Sequence, residues 1–446
     1  MTPAPVNIPP TQIPRIQRDP LAFLLENARQ YGDFIHFPLG LWNVYLLTDP
    51  ALIKHVLQDN NRNYSKNTIQ YNTLSIVTGR GLLTSDGETW RQQRRLIQPA
   101  FHRRRIAQLG ELMVTAAQKM VDRWDTTSAP LDIDAEMMQL SLEIVGQTLF
   151  SLDLSQSAGQ LTQAVLTTLD YVVYRASTPI AAPLWWPTRR NGRFLAARRL
   201  LNNVIAEMVQ NRRAQLAAGE QPPDDLLTML LEIRDPESGA TMSDQQIRDE
   251  IITLLIAGHE TVASALTWCW HLLAQHPEIM ERLQEELDSV LAGRPPAMTD
   301  LAQLPLTRAI FDETLRLYPP AWIITRRAIG PDSLGDSPIP ANSLVLISPY
   351  VVHRHPDFWP EPEQFDPDRF LSGASDGRPR FAYIPFGGGP RLCIGDQFAL
   401  TEAQLIIAEV ARRGRLALVP DQKVVMEPLV TLRPQHGLWM IWQKRL

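Results

Sequence analysis

The amino-acid sequence predicts a mainly α-helical protein with a minor β part, folded as a single large domain over residues 1–446. Helical periodicity dominates from about Pro50 to Gln275, and short strand-like runs lie before and after that stretch. A length prior of roughly 150 residues per domain would suggest about three domains. However, no repeat, low-complexity tract or obvious linker divides the sequence, and a single domain is therefore favoured.

Charge and cysteine content exclude several classes of protein. The 43 basic residues against 48 acidic ones give a net charge of −5, so nothing overall points to a nucleic-acid partner. Two cysteines are too few for a disulfide framework and fit a reducing cytosol. The Pro-rich leader, residues 1–18, lacks the apolar run of a signal peptide, and no segment reaches about 18 uncharged apolar residues. We therefore expect a cytoplasmic protein without a membrane span.

The first elements are a helix and two strands. In "DPLAFLLENARQYG", Asp19 is a helix cap, Pro20 occupies the first position and Gly32 ends the helix. "DFIHFPL" and "NVYLLTD" alternate as strands and are joined by "GLW". The helical region that follows is broken at "GRG" and at "PLWWPTRRNGR".

A long central helix is predicted within residues 243–277. Ser243 and Gln246 form a capping box, and Pro277 limits the far end. About 32 residues at 1.5 Å each give a rod of roughly 48 Å. The helix is apolar on most sides from Ile251 onward, which is typical of a helix that crosses the core.

The C-terminal third mixes helices with strands. "ERLQEELDSVLAG" and "LTRAIFDETLRLYPP" are helical, and Pro319 and Pro320 end the second. Short strands are expected over residues 322–348, irregular structure over 360–392, and strands in the last 30 residues. Between them, "DQFALTEAQLIIAEVARRG" is predicted to be a helix.

The segment "PFGGGPRLCIG", residues 385–395, carries one of the two cysteines. Cys269 lies in an apolar run and is expected to be a buried core thiol, whereas glycines, proline and arginine surround Cys393. A phosphate loop is disfavoured because the P-loop pattern is absent and Pro390 lacks an N–H donor. Zinc is disfavoured because no second cysteine lies near. A lone thiolate ligand remains, stabilised by a helix N-terminus and Arg391, with the glycines giving backbone N–H groups access to the sulfur.

This segment resembles the ligand loop FxxGxRxCxG of the cytochrome P450 family. The matching positions are Phe386, Gly389, Arg391, Cys393 and Gly395. The resemblance implies the P450 fold, with a long central helix crossing over the haem, and haem b bound through Cys393. A thiolate ligand increases electron density at the iron and favours O–O cleavage.

"ETLR", residues 313–316, resembles the ExxR motif of the same family. An exposed i,i+3 ion pair, worth about 0.2–0.5 kcal/mol, is the alternative interpretation. The resemblance implies instead a buried structural network of Glu313, Arg316 and Arg369, the last from "FDPDRF". Removing one member of a buried charge network is costly.

"AGHET", residues 257–261, interrupts the apolar central helix. A core threonine bonded to the carbonyl four residues earlier is the alternative. The resemblance to the family's oxygen-activation motif implies that Gly258 and Thr261 open the helix locally over the iron. It also implies that Thr261 and Glu260 deliver protons to bound dioxygen.

Haem propionates need cationic or polar partners. "WRQQRR" resembles the family's WxxxR helix and supplies Trp90 and Arg94, and Arg391 lies two residues before the ligand. In "ITRRA" only one of Arg326 and Arg327 can face the haem, and spacing from the ExxR motif favours Arg326. The resemblance also implies that Ala257 contacts the cofactor and makes His353 a weaker propionate candidate.

The resemblance implies a monooxygenase that uses O2 and two electrons from NAD(P)H. Only 53 residues follow Cys393, so a separate ferredoxin or flavodoxin with its reductase is expected as the electron donor. A docking patch or an ordinary solvated surface would explain a run of arginines: Arg91, Arg94, Arg95, Arg103, Arg104 and Arg105. Peroxide-driven peroxygenase or isomerase activity and a non-enzymatic haem sensor are the alternatives. The protein is expected to be a monomer.

Substrate contacts are implied for five segments, approximately residues 66–88, 165–190, 256–257, 321–324 and 429–432. Their apolar members are Tyr71, Ile76, Val77, Tyr171, Val172, Ile256, Trp322, Ile323 and Val430. These side chains favour a hydrophobic substrate such as a fatty acid, a terpenoid or a steroid-like molecule, although some could simply be core residues. Similarity of two stretches to fatty-acid-oxidising branches of the family favours a fatty acid.

Overall fold

Helices make up most of the molecule. The computed structural model describes residues 4–6, 13–39, 42–153, 158–178, 181–234, 239, 241–374 and 376–445. In those residues the α-helices are α1 (Ile13–Arg18), α2 (Pro20–Tyr31), α3 (Pro50–Lys54), α4 (Ile69–Thr78), α5 (Gly87–Ile97), α6 (Arg103–Trp124), α7 (Ile133–Phe150), α8 (Ala158–Ser177), α9 (Arg189–Ala217), α10 (Leu226–Glu232), α11 (Asp244–Gln275), α12 (Pro277–Leu291), α13 (Pro305–Leu317), α14 (Pro349–Val352) and α15 (Asp396–Arg413). A five-residue π-helix, His55–Asp59, follows α3 directly.

The β part consists of short strands near the two ends of the chain. They are β1 (Ala4–Pro5), β2 (Phe34–Leu39), β3 (Trp42–Leu47), β4 (Tyr64–Ser65), β5 (Leu131–Asp132), β6 (Ile324–Ala328), β7 (Asp332–Leu334), β8 (Ser337–Ile339), β9 (Leu344–Ile347), β10 (Gly414–Leu418), β11 (Met426–Pro428), β12 (Leu432–Pro434) and β13 (Trp439–Lys444). Six strands form one sheet in the order β1-β2-β3-β9-β6-β4, and β10-β13-β5 form a second. The pairs β7-β8 and β11-β12 are separate hairpins.

The predicted local signals operate at the N-terminal elements. Asp19 caps α2 by accepting a hydrogen bond from the N–H of Ala22 at 3.0 Å, and Gly32 ends the helix at φ +88°. Strands β2 and β3 pair antiparallel, while residues 40–41 of their "GLW" connection lie outside the described residues. Residues 1–3 and 7–12 of the Pro-rich leader also lie outside them.

One predicted helix break is displaced. The break at "PLWWPTRRNGR" ends before its arginines, because Thr188 caps α9 by accepting from the N–H of Asn191 at 3.1 Å. Arg189 and the residues after it are therefore helical. The break at "GRG" is confirmed, since α4 ends at Thr78 and Gly79 has φ +64°.

The central helix α11 organises the largest hydrophobic cluster. It begins with the Ser243–Gln246 capping box and packs along α7, α13 and α15. It is the one helix in the described part of the chain that is long and apolar enough to cross a membrane, and 83% of its apolar window is buried inside the protein. The cluster around it joins α6, α7, α11, α13 and α15, and the six-stranded sheet carries two smaller clusters.

Candidate functional site

The Cys393 loop connects irregular chain to the N-terminus of α15. The Cys393 N–H donates to the carbonyl of Phe386 at 3.0 Å. Gly389 has φ +65°, and a Cβ atom there would lie 1.9 Å from the carbonyl oxygen of Leu57 in the π-helix. This glycine is therefore required by its backbone conformation and by close packing. That corrects the expectation that the triple glycine serves to clear space at the sulfur, since the N–H that reaches the sulfur belongs to Gly395.

The sulfur of Cys393 faces an interior space. Its side chain is exposed, although burial raises the pKa of its thiol above the usual value. The Gly395 N–H, Arg94 and Lys66 oppose that effect by stabilising the thiolate. Cys269, in contrast, is fully buried in α11, where burial raises the pKa of its thiol to about 12. Cys393 is thus the cysteine that presents a sulfur to a ligand.

Four cations gather beside this loop. Arg94 donates to the carbonyl of Leu392 at 2.8 Å, which ties α5 to the residue before Cys393. Arg391 donates to the Ser85 carbonyl at 2.9 Å, and its guanidinium lies 3.8 Å from the centre of the Trp90 ring. Arg391 also pairs with Asp86. Burial lowers the pKa of Arg391 to about 10, and the Asp86 carboxylate acts in the opposite direction.

Arg326 and Lys66 complete the cation cluster. Arg326 is 6% exposed and donates to the Tyr71 hydroxyl at 3.3 Å. Lys66 donates to the Leu83 carbonyl at 2.7 Å, and its ammonium lies 4.8 Å from the centre of the Tyr71 ring. Burial holds the pKa of Lys66 well below its usual value, and the charges of Arg326 and Arg391 lower it further. The cluster of Lys66, Arg94, Arg326 and Arg391 has Asp86 as its neighbouring carboxylate, so its chemistry suits an additional anion.

The structure distinguishes the propionate candidates that the sequence left open. Arg326 is buried beside Lys66, whereas Arg327 is its half-buried neighbour on the other face of β6. His353 is fully buried away from this cluster. It donates from Nδ1 to the Arg316 carbonyl at 3.3 Å and accepts from the Ile384 N–H at 2.8 Å. Both of its ring nitrogens are engaged with backbone, which corrects its candidacy as a propionate partner.

The central helix presents one accessible turn. Between Asp249 and Leu273 every residue is buried except Ala257, Gly258 and Thr261, which share a helix face. The Thr261 hydroxyl donates to the Ala257 carbonyl at 2.7 Å, the local bond that the alternative interpretation specified. Its oxygen can still accept a hydrogen bond.

The expected opening of the helix at "AGHET" is absent. The α-helix continues without a break from Asp244 to Gln275. A Cβ atom at Gly258 would lie 3.0 Å from a methyl group of Val145 in α7. Gly258 therefore allows close packing of two helices and does not open α11.

Glu260 belongs to a buried group of charges. Burial raises its pKa to about 7, opposed by Arg433 and a hydrogen bond with Thr431. Arg433, from β12, donates to Asp134 of α7 at 2.8 Å. Asp170 of α8 has a pKa raised by burial and is also attracted to Arg433. Glu260 and Thr261 share no direct hydrogen bond in the described residues, so a proton passing between them requires an intermediate carrier such as water.

Glu313, Arg316 and Arg369 come together on the cysteine side of the core. Arg316 binds Glu313 through two hydrogen bonds of 2.6 and 2.7 Å, and both side chains are fully buried. Arg369 lies 3.5 Å from the Glu313 carboxylate. Arg316 also donates to the carbonyls of His353, Pro362 and Gln364 at 2.6–2.9 Å. The network thus fixes α13 to the irregular segment that precedes the Cys393 loop.

A model of the cytochrome P450 family matches residues 1–439. This chain belongs to the cytochrome P450 family. As a P450 it is an oxidoreductase of the monooxygenase type and carries haem with a cysteine thiolate as axial ligand.

Relatives along nearly the whole chain agree with this assignment. Cyclooctatin synthase of Streptomyces melanosporofaciens is 40% identical over 93% of this chain and 89% of its own length. Cyclooctat-9-en-7-ol 5-monooxygenase of the same organism is 36% identical over 90% and 86%. Pentalenene oxygenase of Streptomyces avermitilis is 34% identical over 94% and 91%. The crystal structure of CYP175A1 from Thermus superposes with a TM-score of 0.80 at 32% identity, covering 99% of this chain and 100% of that one.

The geometry of this P450 fits haem. Cys393 offers an accessible sulfur, and the cation cluster supplies the charge that two propionates need. Lys66 is the member that the sequence did not reveal as a cofactor partner. A lone lysine carries no motif, and its place beside Arg326 and Arg391 depends on contacts more than 250 residues apart in the chain.

The predicted substrate residues divide into three groups. Tyr71 lies under the cation cluster, as described above. Tyr171 donates to Asn191 at 2.8 Å and stacks on Phe194 at 4.1 Å, so it joins α8 to α9. The Trp322 ring N–H donates to the Leu429 carbonyl at 2.9 Å, which brings two predicted segments together. Val77, Val172 and Ile256 are buried core residues, whereas Ile76, Ile323 and Val430 remain partly accessible.

Proposed function

We propose that this P450 hydroxylates or otherwise oxidises an apolar terpenoid-like molecule and that Cys393 is its haem ligand. The accessible Cys393 sulfur beside four cations is the observation that carries the assignment of the ligand. When bound, haem supplies the chemistry of dioxygen activation. The chain holds the ligand sulfur near Arg94 and the Gly395 N–H, and presents Thr261 on the accessible turn of α11.

Cys393→Ser tests the ligand assignment. The red-shifted Soret band of the reduced carbon monoxide complex requires a thiolate, so the variant is expected to lose it. Cys269→Ser is the matched control and should retain the band, because its sulfur is enclosed in the core. Survival of the band in Cys393→Ser would refute the assignment.

The substrate class follows from apolar lining and from the relatives. Ile76, Ile323 and Val430 contribute partly accessible apolar surface in the implied segments. Two relatives are named for action on cyclooctat-9-en-7-ol and pentalenene, an alkenol and an alkene. These names favour a terpenoid over the fatty acid that sequence similarity suggested. Screening terpenoids and fatty acids for substrate-induced shifts of the haem spectrum tests the choice, and binding by fatty acids alone would overturn it.

A separate ferredoxin or flavodoxin is the proposed electron donor in the cytoplasm. A surface cavity of about 340 Å³ is lined by Trp90, Arg91, Arg94, Arg95, Gln98, Pro99 and His102, on the same helix that contacts Leu392. Arg103 and Arg104 are exposed next to it. A basic surface on the cysteine side would attract an acidic redox protein in a salt-dependent manner.

Comparing two ways of supplying reducing equivalents separates this function from its alternatives. Product formation with NAD(P)H, a ferredoxin and its reductase is expected to exceed turnover with hydrogen peroxide. Turnover with peroxide alone would establish a peroxygenase. Absence of substrate-dependent oxygen consumption under both conditions would favour a non-enzymatic haem protein.

A further inference from the structure

The connection between α8 and α9 presents two adjacent tryptophans to solvent. Trp185 is 77% exposed and Trp186 is 53% exposed, and their ring centroids lie 5.5 Å apart. Single exposed apolar residues are common on protein surfaces, but a contiguous pair of the largest apolar side chains indicates a contact surface. We name residues 181–188 the tryptophan tip.

The fold holds this tip in a defined conformation. Asn191 is 2% exposed, and its side-chain amide donates to the carbonyls of Pro183 and Trp186, each at 2.8 Å. The Asn191 carbonyl oxygen accepts from the Tyr171 hydroxyl, and the Trp186 N–H donates to the Pro183 carbonyl at 2.9 Å. Pro183 and Pro187 contribute no N–H groups. Much of the tip's backbone polarity is thus satisfied internally while its indole rings project outward, as an apolar environment requires.

The surroundings of the tip are strongly basic. Residues 158–200 contain six arginines and one acidic residue, Asp170, in a protein whose net charge is −5. Arg189, Arg190 and Arg193 follow the tip in the first two turns of α9 and are exposed. In the described part of the chain these three form no salt bridge within 4 Å, although Arg190 packs on the Tyr174 ring. Their charge is available to an external anion.

We propose that the tryptophan tip docks this P450 peripherally on a lipid bilayer that contains anionic headgroups. Tryptophan prefers the headgroup level, where its ring is in an apolar region and its N–H remains hydrated. The arginines bordering the tip attract anionic lipid over the distance of a Debye length. An acidic protein would satisfy the arginines but would not require two projecting indole rings, so the bilayer is the partner that fits both features.

Co-sedimentation of the holoenzyme with vesicles tests this proposal. The wild-type protein is expected to sediment with vesicles of phosphatidylcholine and phosphatidylglycerol, and less with phosphatidylcholine alone. Trp185→Ser/Trp186→Ser should weaken association at least tenfold. Trp439→Ser is the matched control, because Trp439 is 45% exposed on β13 without a basic border and should not affect binding.

A second pair of variants tests the charge. Arg189→Gln/Arg193→Gln should remove the preference for anionic vesicles, whereas Arg103→Gln/Arg104→Gln, on the cysteine side, should leave it unchanged. Haem content and circular dichroism of each variant confirm folding.

Three results would overturn the proposal: no sedimentation of the wild-type protein, equal loss in Trp439→Ser, or a Trp-dependent dimer that does not bind vesicles. Vesicle binding is measured without substrate and therefore fails or succeeds independently of the proposed function.

Discussion

Glu313→Gln removes one charge from the buried network and leaves its shape almost unchanged. Arg316 would remain fully buried with three backbone carbonyls as acceptors, but without the carboxylate that now receives its two short hydrogen bonds. Arg369 would lose its ion pair at 3.5 Å, and the Asp366 N–H would lose a charged acceptor at 2.9 Å. The guanidinium cannot deprotonate to escape this environment.

The cost follows from the burial of both partners. Breaking one side of a buried ion pair costs about 3–5 kcal/mol, because the remaining charge is left in a low dielectric. Glu88→Gln is the matched control, since Glu88 and Arg91 are also an i,i+3 pair, at 2.6 Å, with side chains 74% and 52% exposed. An exposed pair is worth about 0–1 kcal/mol. The same chemical change should therefore differ several-fold in effect between the two sites.

Urea unfolding followed by tryptophan fluorescence measures this difference, and haem absorbance reports cofactor retention. Glu313→Gln should lower the urea midpoint clearly and reduce haem incorporation, because the network holds the segment before the Cys393 loop. Glu88→Gln should match the wild type. If both variants unfold at the wild-type midpoint with full haem content, the network does not support the site and the reasoning is refuted.

Three further variants test other parts of the site. Thr261→Ala should increase the hydrogen peroxide released per NAD(P)H consumed, and unchanged coupling would contradict its role in proton delivery. Burial raises the pKa of Glu402 from 4.5 to about 8, so ionisation destabilises the folded state as pH rises through this window; Glu402→Gln should flatten the decline of the urea midpoint between these limits, and an unaltered slope would refute the assignment. Gly389→Ala should reduce haem retention and stability because its Cβ would meet the Leu57 carbonyl, whereas Gly32→Ala, at φ +88° with open space, should cost only about 1–2 kcal/mol; equal losses would show that packing at Gly389 is unimportant.

Much of the helical framework was predictable because its signals are local. The cap at Asp19, the capping box at Ser243 and the proline stop after α13 each act within a few residues. The cysteine loop was also recognisable from one short segment. The position of the break before α9 was misjudged because Thr188 provides a cap inside a segment rich in turn-forming residues.

The functional environment depended on distant contacts. Glu260 was predicted as a partner of Thr261, but its carboxyl interacts with Thr431 and Arg433, about 170 residues away. Gly389 was attributed to the sulfur, although the Leu57 carbonyl determines the requirement for glycine. These relations have no local periodicity and arise only when β12 and the π-helix pack beside the motifs.

The sequence by itself determined the family, the cysteine that can act as a ligand and the order of the helices, because a thiol in a glycine loop and helix-capping residues express their chemistry locally. Only the tertiary structure decided that Lys66 joins the cation cluster, that Arg326 rather than Arg327 lies beside it, and that two tryptophans project from a fixed tip. Charge, burial and exposure are properties of a side chain's whole surroundings, and those surroundings are assembled from segments far apart in the chain.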